Sequence, residues 1–187
     1  RCAIVTGVQT CALPISTRRR ATGAATLLLG AGWLALALPV AAAALARLPG
    51  EAALRDLRAG QAVATAELNA LADSRRAAAR WRVDPRDRAA LALAALLLAE
   101  RADAARGDAV RSRQLRAAER ELSLALGAAP ADPYAWSRLA LVRWRLDRPA
   151  RSVRAALHAA QRTGPQVRRL RRLHGTIAAS IKDTGDG

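Results

Sequence analysis

The sequence predicts an all-α chain, with one apolar N-terminal helix long enough to cross a membrane followed by short amphipathic helices. Three observations carry this. Ala, Leu and Arg dominate, all of them strong helix formers, while β-branched residues are few and never alternate over a useful length. Ala21 to Ala46 is a run of 26 residues without a charge, held between Arg18-Arg19-Arg20 and Arg47. Beyond it, apolar residues recur at helical spacing between proline and glycine breaks.

The first residues stay outside that argument. Val5 to Ser16, VTGVQTCALPIS, resembles a translated sequencing-library adapter, so residues 1–16 are read as a non-native leader. Cys2 and Cys11 fall inside it and the rest of the chain has no cysteine, which removes disulfide, zinc-thiolate and thiol-nucleophile chemistry together. About 170 residues remain, enough for one modest domain and its N-terminal segment.

The net charge of +16 comes from 31 basic and 15 acidic residues, and Lys182 is the only lysine. Such a balance suits anionic lipid, acidic glycan or nucleic acid. No nucleic-acid signature and no aromatic stacking platform accompanies it, in a chain with one Tyr and no Phe. A solvated basic surface is therefore expected, and nucleic acid is not an expected partner.

Residues 17–47 are read as a membrane anchor. At 1.5 Å per residue the uncharged run covers about 39 Å, more than the hydrocarbon core of a bilayer. The three arginines at its start place the N-terminus in the cytoplasm and everything after Arg47 outside it. Trp33 sits mid-span. Ala42-Ala43-Ala44 and Ala44-Leu45-Ala46 both offer small-x-small cleavage sites, so a signal peptide is the competing reading; length favours the anchor, and either version exports the remainder. Gly30-x-Gly32 has no strand before it and is no nucleotide loop.

Residues 48–83 are expected to form juxtamembrane helices. Leu48-Pro49-Gly50 predicts a break, followed by a short helix over Glu51 to Ala59 and an interruption at Ala59-Gly60-Gln61. Thr65 is expected to cap a longer helix through Arg82, packing through Leu68, Leu71 and Trp81. Asp84-Pro85 opens the next helix, with Asp as N-cap and Pro in the first turn. Its apolar run Ala89 to Ala99 is eleven residues between Arg88 and Glu100, too short for a second span and so a buried helix.

Arg106-Gly107-Asp108 turns the chain into a helix with Leu115, Ala118, Leu122, Ala125 and Leu126 on one face. Asp132-Pro133 starts another, with Ala135, Leu139, Val142 and Leu146 in a stripe and Trp136 and Ala140 beside it. Past Asp147-Arg148-Pro149 a further stripe runs Val153, Ala156, Leu157, Ala160. After Gly164-Pro165 the last helix sets Leu170, Leu173, Ile177 and Ile181 against Arg168, Arg169, Arg171 and Arg172 on its other side. The tail 182–187 is expected to be disordered.

A step of 34 residues carries Ala118 to Ser152, Ala125 to Ala159 and Pro130 to Gly164. With Trp136, Leu139 and Ala140 in the first helix of the second pair, residues 84–181 resemble the tetratricopeptide repeat (TPR), best over 133–164. Arg143 stands where the family usually has an aromatic, with Trp144 one residue later. The resemblance implies a short α-solenoid closed by a capping helix. It also implies a concave groove presenting Trp136, Arg138 and Arg143 to a protein partner held at the membrane. The layout and the segment DPYAW-x-RLA are similar to accessory components of bacterial envelope polysaccharide systems, which implies a bacterial inner membrane.

For chemistry the residues offer little. His158 lies on a polar helix side, His174 edges an apolar one, and the acids are scattered singly. No Gly-rich phosphate loop, HExxH, GxSxG or EF-hand occurs. The expectation is a membrane-anchored scaffold for protein–protein interaction, without enzymatic activity, metal or cofactor. The alternative is an electrostatic binder of anionic lipid, glycan or nucleic acid through Arg168, Arg169, Arg171 and Arg172.

Overall fold

The computed structural model describes residues 15–102 and 107–183; inside the helices, the side chains of residues 15–25, 27, 107, 168, 169, 171, 172 and 181–183 lie outside that description. The adapter-like leader through Pro14 with Cys2 and Cys11, the Arg106 side of the predicted turn, the Ile181 side chain and the tail from Thr184 fall outside the described residues.

What is described is all-helical: α1 (Ile15–Ala59), α2 (Thr65–Ala79), α3 (Pro85–Arg101), α4 (Gly107–Ala128), α5 (Pro133–Arg145), α6 (Ala150–Thr163) and α7 (Arg168–Asp183). The chain separates between Pro39 and Val40 into two compact units. In the first, Leu28, Leu29, Trp33, Leu34, Leu36 and Leu38 are all exposed, around the whole circumference of the helix. A helix that is apolar all round belongs in a core or in lipid. Among the described residues one helix is long and apolar enough to cross a membrane, and this is it.

The second unit begins with the rest of α1. The predicted break at Leu48-Pro49-Gly50 does not occur, because α1 runs unbroken to Ala59. Proline inside a helix removes one backbone hydrogen bond. Here the turn is pinned on both sides by longer-range contacts, Arg47 to Asp84 and Asp87 before it and Glu51 to Arg75 after it. Gly50 is required for the packing: a Cβ there would meet Ser74 Oγ and lie 2.9 Å from Leu71 Cα, so α1 crosses α2 with almost no space between backbones.

Gly60, in the left-handed region at φ +77°, ends α1. Thr65 does not cap α2. The N-cap is Ala64, whose N–H donates to Glu67 Oε2 at 2.6 Å. The helix stops at Ala79 rather than Arg82. Leu68 and Leu71 are fully buried as expected, but Trp81 is exposed and belongs to neither core. Ala53, Leu54, Val63, Leu68, Leu71 and Ala72 meet Ala90 and Ala94 of α3 in a first core.

The other side of α3, Ala92, Ala95, Leu96 and Ala99, faces a second and larger core built with α4, α5, α6 and α7. Two buried faces explain why the Ala89–Ala99 run is apolar throughout. The expected face of α4 (Leu115, Ala118, Leu122, Ala125, Leu126) and that of α6 (Val153, Ala156, Leu157, Ala160) are buried as read. In α5, Ala135, Leu139 and Val142 are buried, and Leu146 packs at the edge.

Helices neighbouring in sequence pack on one another, α2 on α3, α3 on α4, α4 on α5, α5 on α6, and α3 also touches α5. The terminal helix α7 lies on both α5 and α6 through Leu170, His174 and Ile177. Lys182 and Asp183, expected in the disordered tail, belong to it.

Candidate functional site

The two Asp-Pro helix starts open on one cleft. Asp84 Oδ1 accepts from Arg86 N at 2.9 Å; Asp132 Oδ1 accepts from Tyr134 N at 2.9 Å and Ala135 N at 3.1 Å. Each aspartate satisfies orphan donors of its helix, and each Pro presets the first turn. The residue after each proline, Arg86 in α3 and Tyr134 in α5, lines a cleft of about 570 Å³. Arg58 from the last turn of α1 and Arg138 from α5 join them over an apolar floor of Leu54, Leu57, Leu93 and Leu170. A smaller hollow of about 370 Å³ adjoins it and shares Arg86 and Asp132.

Of the three groove residues read from the sequence, only Arg138 reaches this cleft. Trp136 is partly buried against the core, and its indole Nε1 donates to Pro130 O at 2.8 Å. Arg143 is engaged internally, its Nη1 donating to Ser152 O at 3.2 Å and its Nε lying 3.4 Å from Glu119 Oε1. Positions 136 and 143 are seven apart and share a helix face, whereas 138 points nearly the opposite way. The fold thus sets the three on different sides: Trp136 and Arg143 pack into the bundle and Arg138 faces the cleft. Arg168, Arg169, Arg171 and Arg172 open α7, but their side chains lie outside the described residues.

Sequence reasoning missed Arg58, Arg86 and Tyr134. The signal for two of them was present, since Asp84-Pro85-Arg86 and Asp132-Pro133-Tyr134 are parallel helix openings. Nothing local marks Arg58.

The electrostatics of the cleft centre on Arg138. Burial lowers its guanidinium pKa from the usual arginine value; Asp132 and Tyr134 oppose this and the like charge of Arg58 adds to it. Among the described residues, Arg58, Arg86 and Arg138 have no ion-pair partner, although Arg47, Arg75, Arg88, Arg145 and Arg148 all do.

Where α1, α2 and α3 meet lies a part-buried ionic cluster, in which the buried Arg75 Nε has no hydrogen-bond partner. Asp87 takes Arg47 Nη2 at 2.6 Å and Arg75 Nη1 at 3.2 Å, and Arg75 Nη2 reaches Glu51 at 2.8 Å. Behind α5, His174 is buried against Ser137, with Nε2 2.9 Å from Oγ. The Ser137 hydroxyl already donates to Pro133 O at 2.7 Å, so its single proton is committed and the imidazole must donate through Nε2–H. Burial lowers the His174 pKa, which favours this neutral form. His158 is exposed. Among the described residues no group of three or more His, Cys, Asp or Glu is placed to hold a metal ion.

Comparison of the chain with protein-family models, with curated proteins and with solved structures found no match.

Proposed function

We propose that the protein is a membrane-anchored, non-catalytic scaffold whose TPR-like helical stack holds a protein partner at a bacterial inner membrane. The observation that carries this reading is the segment before Val40, whose Leu28, Leu29, Trp33, Leu34, Leu36 and Leu38 are exposed on every side, preceding in sequence a unit of sequentially stacked helices. A protein built that way keeps its helical unit beside a bilayer. Arg18, Arg19 and Arg20 at the start of the apolar run orient it with the N-terminus cytoplasmic and the bundle outside, by the excess of cations on the cytoplasmic flank.

The packing order supports a repeat. From α2 onward each helix rests on the next, the first helices of the two pairs touch, and the last helix touches both members of the second pair. Such nearest-neighbour stacking leaves one continuous face to a partner. The working surface in this reading is the cleft side, where Arg138 is free, rather than the Trp136 and Arg143 side.

The test is a crosslinking capture from membranes with the full-length chain and an Arg138→Glu control. A defined set of envelope proteins captured by the native chain and lost from the variant is the expected result. Recovery of only lipid, glycan or nucleic acid, unchanged in the variant, would overturn it in favour of the arginines that open α7.

A further inference from the structure

Three guanidiniums drawn from three helices share the cleft with a single carboxylate. Arg58 lies in the last turn of α1, Arg86 in the first turn of α3 and Arg138 in the middle of α5. Asp132 accepts on Oδ1 from two backbone N–H groups and forms no ion pair with the arginines. Arg138 is half-buried, so its charge has lost part of its water, and Asp132 offsets this only at a distance, without an ion pair. Arg58 adds a like charge that pushes the Arg138 pKa further in the direction burial has already taken it. This arrangement is unfavourable when the cleft is empty and is relieved by an anion.

The shape of the anion follows from the donors and the floor. A guanidinium offers a planar fork of N–H groups that matches the two oxygens of a carboxylate or phosphate, and the Tyr134 hydroxyl on the rim adds another donor. Leu54, Leu57 and Leu93 beneath them offer nothing to a polar body and a dry surface to an apolar one. A volume of about 570 Å³ lies in the range of small-molecule sites.

We infer that the cleft binds a small amphipathic oxyanion, a phosphate monoester or a carboxylate on an apolar body, with Arg58, Arg86 and Arg138 on the oxygens and the leucines under the body. The inference rests on the cleft side being the working surface, and not on the partner being a protein.

The experiment is a calorimetric titration of the full-length protein in a neutral detergent with phenyl phosphate, phenylacetate and inorganic phosphate. One of the two ring compounds, or both, saturates a single site at least about 10-fold more tightly than inorganic phosphate, the buried ring being the difference. Which of them binds identifies the oxyanion as phosphate or carboxylate, and either result supports the inference. Arg138→Gln and Arg58→Gln each weaken binding at least about 10-fold, as loss of a charge-assisted bidentate contact requires. Arg154→Gln, an exposed arginine of α6 outside the cleft, changes it less than about twofold.

Absence of saturable binding by both ring compounds overturns the inference. So does inorganic phosphate binding as tightly as they do, or an equal loss with Arg154→Gln, which would mean diffuse attraction to a strongly basic chain. Should Arg138→Gln fail to keep the native circular dichroism, Arg58→Gln, whose side chain is exposed, carries the test. Because the titration uses no partner, an empty membrane capture leaves it standing, and a failed titration leaves the capture standing.

Discussion

Asp87 is almost wholly out of water with two guanidiniums on its carboxylate, Arg75 itself only 3% exposed. Removing Asp87 takes one of two acidic partners from each guanidinium, leaving Arg47 with Asp84 and Arg75 with the more exposed Glu51, and unbalancing a buried cluster costs far more than a pair contributes when intact. Asp87→Ala therefore lowers unfolding free energy by about 3–5 kcal/mol, read from chemical denaturation followed by circular dichroism. Asp73, exposed and paired with Arg76 in an ordinary i,i+3 arrangement, serves as the control: Asp73→Ala changes stability by less than about 0.5 kcal/mol. His174 gives the pH dependence. Its folded pKa is depressed, so the unfolded chain takes up a proton at higher pH than the folded one. Stability from this group is fully present above the unfolded imidazole value of about 6.5 and is lost as pH falls from there toward the folded value. His174→Gln keeps an amide donor for Ser137 and removes the titration. Comparing urea midpoints at pH 7.5 and 5.5, the native chain loses more than the variant; equal losses would refute the assignment.

Close packing of α1 on α2 is a property of the pair of helices, and Gly50 measures it. Alanine normally improves a helix by about 1 kcal/mol over glycine. At Gly50 the new methyl would press on the Leu71 backbone, which cannot rotate away, and overpacking of that kind costs about 1–3 kcal/mol. Gly50→Ala is expected to be net destabilising, whereas Gly127→Ala, with open space around it, is neutral or stabilising; denaturation midpoints of the two variants decide it. This helix junction also shows what was legible in the sequence. The two Asp-Pro helix starts were, because that signal is local, and so were the buried faces of α4 and α6, because their periodicity is unmixed. The continuity of α1 was not, since Pro49-Gly50 is a local break signal overridden by Arg47–Asp87 and Arg75–Glu51, pairs 40 and 24 residues apart. The cleft was hidden for the same reason: Arg58, Arg86 and Arg138 come from three helices, and only the fold brings them to one cleft. Arg143 looked like a groove residue because its bond to Ser152 O spans the α5–α6 turn and nothing at position 143 announces it.

For the molecule as a whole, the two units differ in how they expose their leucines. The unit from Val40 onward buries most of its leucines in two cores, Leu45, Leu48 and Leu124 excepted, while the segment before it exposes Leu28, Leu34, Leu36 and Leu38 on every side. In water that surface would drive association; in a bilayer it is at rest. The two environments predict different responses to the same substitution. Arginine near the centre of a spanning helix costs about 2.5–3.5 kcal/mol by insertion scales, so Leu34→Arg with Leu36→Arg removes about 5–7 kcal/mol from membrane insertion. Neither residue belongs to the cores, so the cooperative unfolding of the helical unit is expected to keep its midpoint. Alkaline carbonate extraction measures the first property and thermal denaturation in detergent the second. The native chain should stay with the membrane pellet and the double variant should move to the supernatant, both with the same melting temperature. Release of the native chain by carbonate would make α1 a surface-bound or cleaved segment and sink the anchor reading. A lowered melting temperature in the variant would mean that the exposed leucines pack against protein, not lipid.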